Sequence, residues 1–146
     1  MKKLIVVSFA VGISFNFSIA IAMPSTAAGI NWQKVKSSQG SQFYIDRASV
    51  RMEGAKEGDR RKIHTLISYN TEQIDSTGTT FWSESFIDVV SCSKRTITTL
   101  SNIQFNEKMA KGKITKSHKM TSTLPQRILP GSVNEYMVDM FVCDIE

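Results

Sequence analysis

Two histidines, His64 and His118, are the side chains of this 146-residue chain best suited to act as general bases. A hydrolytic triad requires a base that is hydrogen-bonded to a nucleophile and oriented by a third group. His64 lies on the less apolar side of an alternating segment, and His118 is surrounded by lysines whose charge disfavours the protonated ring. Neither has a partner at a recognisable spacing, so both are expected to be solvated surface residues. The sequence therefore gives no support to a hydrolase.

Metal sites, carboxylate pairs and phosphate loops are equally weakly supported. If the only two cysteines form a bridge, too few sulfur and imidazole ligands remain for a zinc site. Glu84 and Asp88 lie roughly 13 Å apart along one predicted strand and are expected to face solvent rather than to act as a glycosidase pair. Gly54, Gly58 and Gly112 are too scattered for a phosphate-binding loop. We therefore predict a protein that is not an enzyme and that holds no cofactor or metal.

Basic residues fall in two segments that could attract an acidic partner. Their charges suit an acidic protein surface or a heparin-like polysaccharide, whereas the ordinary alternative is a solvated loop and a solvated edge strand. The whole chain has a formal charge of +5, which falls to +3 once Lys2 and Lys3 are removed with the N-terminal segment. This bias is too mild for a nucleic-acid-binding protein. The candidate partner-binding residues are Lys56, Arg60, Arg61 and Lys62 in the first segment and Lys108, Lys111, Lys113, Lys116 and Lys119 in the second.

The N-terminal segment has the pattern of a signal peptide. A positively charged start precedes a nearly continuous apolar run over residues 4–22, and small residues up to Ala22 and Ala28 offer two cleavage sites. A retained membrane anchor is the alternative, because a span needs about 20 apolar residues. Polar residues within the run, and the lack of a cationic cluster after it, favour cleavage. We predict a signal peptide over residues 1–28, cleaved after residue 22 or 28, and a single domain over residues 29–146.

Export without a lipid anchor is the expectation that follows. No cysteine precedes Cys92, so the residue that carries the lipid of a bacterial lipoprotein is absent. The mature protein is expected to be periplasmic or secreted, with no membrane span after signal removal. In an oxidising compartment the two cysteines are expected to pair, as Cys92 with Cys143, and two buried free thiols are the alternative. In the chain-entropy model, closing a loop of this length contributes about 4 kcal/mol of stability.

Alternating apolar and polar residues predict an antiparallel sheet of about five to six strands. Residues 93–95 are few enough to join two of these strands as a hairpin. Residues 51–61 combine glycines with charged side chains and are expected to form an exposed loop. The last strand is polar and rich in lysine, which suits the edge of a sheet. The predicted strands span residues 32–36, 42–46, 62–70, 79–92, 96–105 and 112–120.

A change of period near the C-terminus predicts one helix. Ser132 and Glu135 have the spacing of a capping box, in which each side chain binds the backbone N–H of the other residue. Apolar residues then recur at the spacing of one helix face, and a bridge from Cys143 would fix this face to the sheet. The predicted fold class is α+β, an antiparallel β-sheet with a C-terminal helix packed on one face and one disulfide. The predicted helix face comprises Val133, Tyr136, Met137, Met140 and Phe141.

A series of short motifs runs in order along residues 32–143. The motifs are Trp32-x-x-Val35, Phe43-Tyr44-Ile45-Asp46-x-x-Ser49-Val50, Arg60-Arg61-Lys62-Ile63 ahead of Tyr69, Ser83-Glu84-Ser85 ahead of Cys92, Met109-Ala110-Lys111-Gly112, Leu129-Pro130-Gly131-Ser132-x-x-Glu135 and Val142-Cys143. Together they resemble the bacterial surface-adhesin protein E family. The resemblance implies a small exported domain with an antiparallel sheet, a C-terminal helix and one disulfide. The best-known member of that family is an outer-membrane lipoprotein that binds laminin, vitronectin and plasminogen.

Two classes of function remain open. The resemblance implies an adhesin-type binding protein whose partners are host extracellular-matrix or serum proteins. The alternative is a non-enzymatic periplasmic inhibitor or stress-related protein of unknown ligand. A positive charge disfavours an inhibitor of the cationic host lysozyme. This chain also lacks the N-terminal cysteine that holds the lipidated family member on the cell, so periplasmic residence or release is the expectation.

Overall fold

The computed structural model describes residues 29–54, 59–121 and 124–144, and the predicted signal peptide over residues 1–28 lies outside the described residues. A short 3₁₀ turn, Lys108–Ala110, follows the fifth strand, and a π-helical turn, Asp139–Cys143, continues the helix. The regular elements are β1 (Trp32–Ser38), β2 (Ser41–Met52), β3 (Arg60–Ile74), β4 (Thr80–Ser91), β5 (Thr96–Phe105), β6 (Ile114–Lys119), β7 (Gln126–Arg127) and α1 (Val133–Val138).

The strands form one antiparallel sheet whose spatial order follows the chain, from β1 to β6. The two-residue strand β7 pairs with the start of β5, on the same side as β6. Consecutive strands are neighbours throughout, so short connections suffice and no crossover is needed. The predicted α+β fold, the hairpin between β4 and β5 and the edge position of the lysine-rich strand β6 are confirmed.

The hydrophobic core lies between the sheet and the C-terminal helix. Alternate strand residues point toward α1, and Ile45, Ile63 and Val90 are almost fully buried there. Val138 and Val142 close this core from the helical side. We call this side of the sheet the helix face and the opposite side the open face. Burial of each such side chain contributes about 1.5–3 kcal/mol, so the helix face supplies a large part of the driving force for folding.

A disulfide joins Cys92, which directly follows β4, to Cys143 at the end of the π-helical turn. The two Cα atoms lie 5.8 Å apart, and the bridge spans 51 residues of sequence. The predicted pairing is confirmed, and the alternative of two free thiols is wrong. The bridge connects the sheet directly to the helical segment that covers it.

Ser132 caps α1 as predicted, but the second bond of the capping box is displaced. The Ser132 hydroxyl accepts the N–H of Glu135 at 3.1 Å, which satisfies one of the free donors of the first turn. The Glu135 carboxylate accepts the N–H of Gly131 at 2.7 Å, one residue before the expected donor. Gly131 has a φ of 75°, which glycine adopts without a steric penalty.

The helix is rotated relative to the predicted apolar face. Tyr136 and Met140 are 43% and 57% exposed, so their assignment to that face was wrong. Val138 and Val142, together with Met137, form the buried side instead. The buried stripe therefore retains helical spacing but lies about one residue further along the chain.

An ion-pair cluster at the turn between β4 and β5 explains this rotation. The Arg95 guanidinium binds the carboxylates of Glu135, at 3.4 Å, and of Asp139. The two acids are four residues apart and share one side of the helix. Because Arg95 lies in the turn between β4 and β5, the acidic side of the helix turns toward it, and the neighbouring Tyr136 side faces solvent.

The predicted loop over residues 51–61 is shorter than expected. Strand β2 continues to Met52, and β3 already begins at Arg60. The N–H of Glu53 donates to the carbonyl of Arg60 at 3.0 Å, and this hydrogen bond extends the pairing of β2 with β3 beyond Met52. The high charge of this segment concealed its alternation, and the loop was therefore predicted too long. Residues 55–58 lie outside the described part of the chain.

Glu84 and Asp88 do not face solvent, contrary to the prediction. Asp88 is 4% exposed on the helix face, and its carboxylate accepts hydrogen bonds from the hydroxyls of Thr65 and Thr99. Glu84 is half-buried and accepts the Tyr69 hydroxyl at 2.7 Å. Both acids alternate in phase with the half-buried Phe86 and the buried Val90 of β4. The prediction failed because their hydrogen-bond donors lie on neighbouring strands.

His64 is not a solvated surface residue either. It is half-buried, and its ring packs edge-on against Trp32, with the ring centroids 4.8 Å apart. Burial lowers the pKa of His64 below its usual value of 6.5, so the ring is neutral at physiological pH. Asp46 of the intervening strand β2 pairs with Trp32 of β1 on one side and with His64 of β3 on the other. The two rings therefore lie at the same level of the sheet. His118 is exposed, as predicted.

Candidate binding site on the open face of the sheet

Two cavities lie side by side on the open face and meet at Leu100. Their volumes are about 490 Å³ and 440 Å³, and we call the pair the open-face groove. Five strands, β2 to β6, contribute residues to the second cavity. The second cavity therefore extends across five consecutive strands of the sheet.

The floor of the groove is apolar. Ile87 and Val89 alternate with the inward-facing Asp88, so their side chains point to the open face. The register between β4 and β5 shifts between Ile87 and Asp88, which leaves Leu100 as an extra residue. Such a bulge redirects a side chain, and Leu100 contributes to both cavities. Ile103 completes the floor at the β6 end.

Cations from three strands surround the second cavity. Arg51 lies on β2, Lys62 on β3 and Lys119 on β6. Arg51 and Lys62 are paired directly across the two strands, and like charges in that position destabilise a sheet. A bound anion between them would relieve this repulsion. The arrangement therefore suits a negatively charged partner.

The first cavity adds Lys94 to the cations of the groove, together with Arg60, whose guanidinium is paired with the Glu53 carboxylate at 3.4 Å. Asp59 lines it as well, but its carboxylate accepts hydrogen bonds from Ser91 and Ser93. These hydrogen bonds, above all the one from the Ser93 hydroxyl, lower the pKa of Asp59. Asp59 thus fixes the start of β3 to the turn after β4. Its acceptor oxygens are engaged within the protein.

Two of the predicted partner-binding lysines have contacts within the chain. The Lys116 ammonium binds the Asp75 carboxylate at 2.6 Å, and this contact lowers the pKa of Asp75. The Lys108 ammonium lies 4.9 Å from the centre of the Trp82 ring and donates to the carbonyl of Asn70. Both side chains therefore stabilise the fold around the β3–β4 end of the sheet.

The remaining predicted residues are distributed over different surfaces. Lys111 and Lys113 are exposed between the short turn and β6, and Lys56 lies outside the described residues. Arg61 pairs with Val90 in the register of β3 and β4, which places it on the helix face. The open-face groove therefore includes Arg60, Lys62 and Lys119 of the predicted set.

Arg51, Lys94 and the apolar floor were missed by the sequence reasoning. Arg51 falls in the predicted loop over residues 51–61, whereas in the structure it pairs with Lys62 across β2 and β3. Strict alternation from Ile45 would place Arg51 on the helix face, and the register shift between Asp46 and Arg51 brings it to the open face opposite Lys62. The floor was missed for the same reason, because the bulge at Leu100 depends on the pairing of two strands.

No cluster of histidine, cysteine or acidic side chains in residues 29–54, 59–121 and 124–144 has the composition to hold a metal ion. Within the same residues, no helix has the length and apolar character needed to cross a membrane.

Comparison with known proteins gives a family and a fold. The family model described as surface-adhesin protein E matches residues 32–144. The crystal structure of protein E from non-typeable Haemophilus influenzae is similar, with a TM-score of 0.53 and 11% identity over 76% of this chain and 81% of that chain. Crystal form II of Haemophilus influenzae protein E gives a TM-score of 0.53 and 12% identity over 71% and 89% of the two chains. No curated protein sequence matches.

The two kinds of likeness carry different weight. At 11% and 12% identity, the similarity to the solved structures establishes the fold alone. The family model spans most of the chain, including every strand and the helix. The chain belongs to the surface-adhesin protein E family.

Proposed function

We propose that this protein is an exported bacterial binding protein of the adhesin type, and that its open-face groove binds an acidic segment of a host extracellular-matrix or serum protein. One observation carries the proposal: Arg51, Lys62 and Lys119 surround an apolar floor on a face of the sheet that the helix leaves uncovered. Membership of an adhesin family supports a binding role.

The composition of the groove favours a protein over a polysaccharide. Ile87, Leu100 and Ile103 offer apolar surface, which gains free energy only when a partner buries apolar groups against it. A sulfated polysaccharide would use the cations and leave this floor largely unmatched. A protein segment with acidic and apolar side chains matches both features.

The exposed lysines outside the groove act at longer range in this proposal. Lys111 and Lys113 raise the local positive potential at the β6 edge, which accelerates the approach of an acidic partner. Such attraction is screened by salt over about 8 Å at physiological ionic strength. Binding is therefore expected to weaken, mainly through slower association, as salt is raised.

Charge reversal in the groove tests the proposal. The double variant Lys62→Glu, Lys119→Glu should bind immobilised laminin or vitronectin at least about tenfold more weakly, because two favourable charge contacts become repulsive. The double variant Lys34→Glu, Lys36→Glu is the matched control, since it makes the same change of charge on exposed positions of β1. The control should retain most of the binding.

Other outcomes of this assay contradict the proposal. Equal loss in both double variants would show that net charge, and not the groove, governs binding. Unchanged binding in the groove variant would place the contact elsewhere. Heparin as a second immobilised ligand distinguishes the two partner classes. Binding to heparin that is stronger than binding to laminin or vitronectin, and that does not depend on the apolar floor of the groove, would favour a polysaccharide.

The location of the protein in the cell tests whether host partners can reach it. Fractionation into cytoplasm, periplasm, outer membrane and medium should recover the protein in the medium, because an adhesin without a lipid anchor can reach host partners only after release. Confinement to the periplasm would contradict the adhesin role and favour the alternative of an inhibitor or stress-related protein.

A further inference from the structure

A third cavity lies on the helix face of the sheet, between the strands and α1. Its volume is about 160 Å³. Exposed Gln126 and Asn134 line it from β7 and α1, so the cavity opens to solvent between these two elements. Its walls are otherwise mostly apolar, formed by Phe43, Ile67, Phe86, Ile97, Val133 and Met137.

Asp88 places a carboxyl group in the wall of this cavity. Its Oδ1 accepts the Thr99 hydroxyl at 2.7 Å, and its Oδ2 accepts the Thr65 hydroxyl at 3.1 Å. No lysine, arginine or histidine is among the described residues that line the cavity. Buried carboxylates in proteins are normally paired with a cation or a metal. Asp88 has hydrogen bonds from two neutral hydroxyls instead.

The three oxygen-bearing groups match one kind of ligand head. A hydroxyl that donates its hydrogen to a carboxylate keeps acceptor lone pairs on its own oxygen. Thr65, Asp88 and Thr99 therefore present acceptors from three side chains, and a primary ammonium has three N–H donors. The ammonium would also supply the positive charge that the buried carboxylate lacks.

The size and the walls of the cavity define the rest of the ligand. An apolar cavity of about 150 Å³ can hold a molecule of the size of benzene. The cavity beside Asp88 has a comparable volume, with Phe43 and Phe86 among its walls. We propose that it binds a small primary amine in its ammonium form, with the charged head at Asp88 and a short alkyl or aromatic body against the apolar walls.

This site is independent of the open-face groove. Asp88 alternates with Ile87 and Val89 along β4, so the two sites lie on opposite faces of the sheet. Amine binding can therefore succeed or fail without any consequence for the proposed binding of a matrix protein.

Benzylamine and benzyl alcohol form a matched pair of probes, because they have nearly the same size and differ in the charge of the head group. Calorimetric titration of the purified protein should show at least about tenfold tighter binding of benzylamine, since charge-assisted hydrogen bonds are about twice as strong as neutral ones. The Asp88→Asn variant, which keeps the shape of the side chain, should lose this preference.

The Glu72→Gln variant is the control for net charge, because it removes one negative charge from an exposed position of β3. It should bind both probes as the unchanged protein does. The proposal is overturned if the unchanged protein binds benzylamine no better than benzyl alcohol, or if Asp88→Asn keeps the preference. The first comparison needs no variant, so the test remains decisive even if Asp88→Asn fails to fold.

Discussion

Asp88 places an ionisable group in the interior of this protein without a cation beside it among the described residues. Loss of hydration on burial raises the pKa of Asp88 above its usual value of 3.8, and the hydrogen bonds from Thr99 and Thr65 only partly oppose this rise. The folded state therefore binds a proton at this site more tightly than the unfolded state does. Stability depends on pH as a result.

The sign of this dependence yields a prediction. As pH rises from about 4 through the raised pKa of Asp88, the folded state must accept a buried charge, so the free energy of unfolding falls. The Asp88→Asn variant lacks this ionisation and should gain stability relative to the unchanged protein as pH increases. Urea denaturation of both proteins at several pH values between 4 and 8 measures the difference.

Taking the difference between two proteins removes the contribution of other groups. The lowered pKa of His64 acts in the opposite direction, because its contribution to stability is present above pH 6.5 and is lost as pH falls. That contribution is common to both proteins. A difference that does not change with pH would show that Asp88 ionises as easily in the folded state as in the unfolded state.

At the scale of the elements, the C-terminal helix owes its orientation to contacts with the turn after β4. Arg95 binds Glu135 and Asp139 on one side of the helix, and the nearby disulfide holds the end of the helical segment. These contacts act together with the apolar residues of the core. They decide which side of a six-residue helix faces the sheet.

Arg95→Gln should therefore destabilise the protein more than Lys94→Gln does. The loss should be small, because both ion pairs of Arg95 are largely solvated and salt screens their attraction. Lys94→Gln, which removes the same charge from an exposed position of the same turn, is the control. Urea denaturation should show a lower midpoint for Arg95→Gln only; equal midpoints would mean that the ion pairs do not stabilise the helix.

The sequence was sufficient for the strands and for the existence of the helix, because each element carries its own period. It was insufficient wherever two elements meet. The donor to Asp88 at Thr65 is 23 residues away, and Asp139 is 44 residues from Arg95. Their pairing depends on strand register and helix rotation, which no local pattern specifies.

The candidate site shows the same division between local and non-local information. Lys62 and Lys119 were predicted as partner-binding residues from their charge alone, and both line the groove. Arg51 was missed because β2 was predicted too short and because the register shift after Asp46 changes the face on which the following residues lie. The floor at Leu100 was missed because a bulge arises from the pairing of β4 with β5.

At the scale of the whole molecule, the two faces of the sheet differ in what they carry. Its helix face contains the core, which α1 and the disulfide cover except at the cavity beside Asp88. Its open face is free of the helix and carries the groove. Binding variants on the open face can therefore be made without disturbing the core.

Removal of the disulfide tests this division. The double variant Cys92→Ala, Cys143→Ala should lose about 2–5 kcal/mol of stability, since the bridge restricts the unfolded chain over a long loop. At a temperature where the variant is still folded, its affinity for a matrix protein should remain close to that of the unchanged protein. Denaturation and binding measurements on the same samples check both statements. A folded variant that no longer binds would show that the helix and the bridge belong to the binding site.

Hydrogen exchange measured by mass spectrometry tests the binding surface most directly. The protein alone should be compared with its complex with a matrix protein such as laminin or vitronectin. We predict slower exchange in β6 and at the end of β2, around Lys119 and Arg51, with exchange in β1 unchanged. Slower exchange confined to β1 or α1, with β6 and the end of β2 unaffected, would contradict the open-face groove as the binding site.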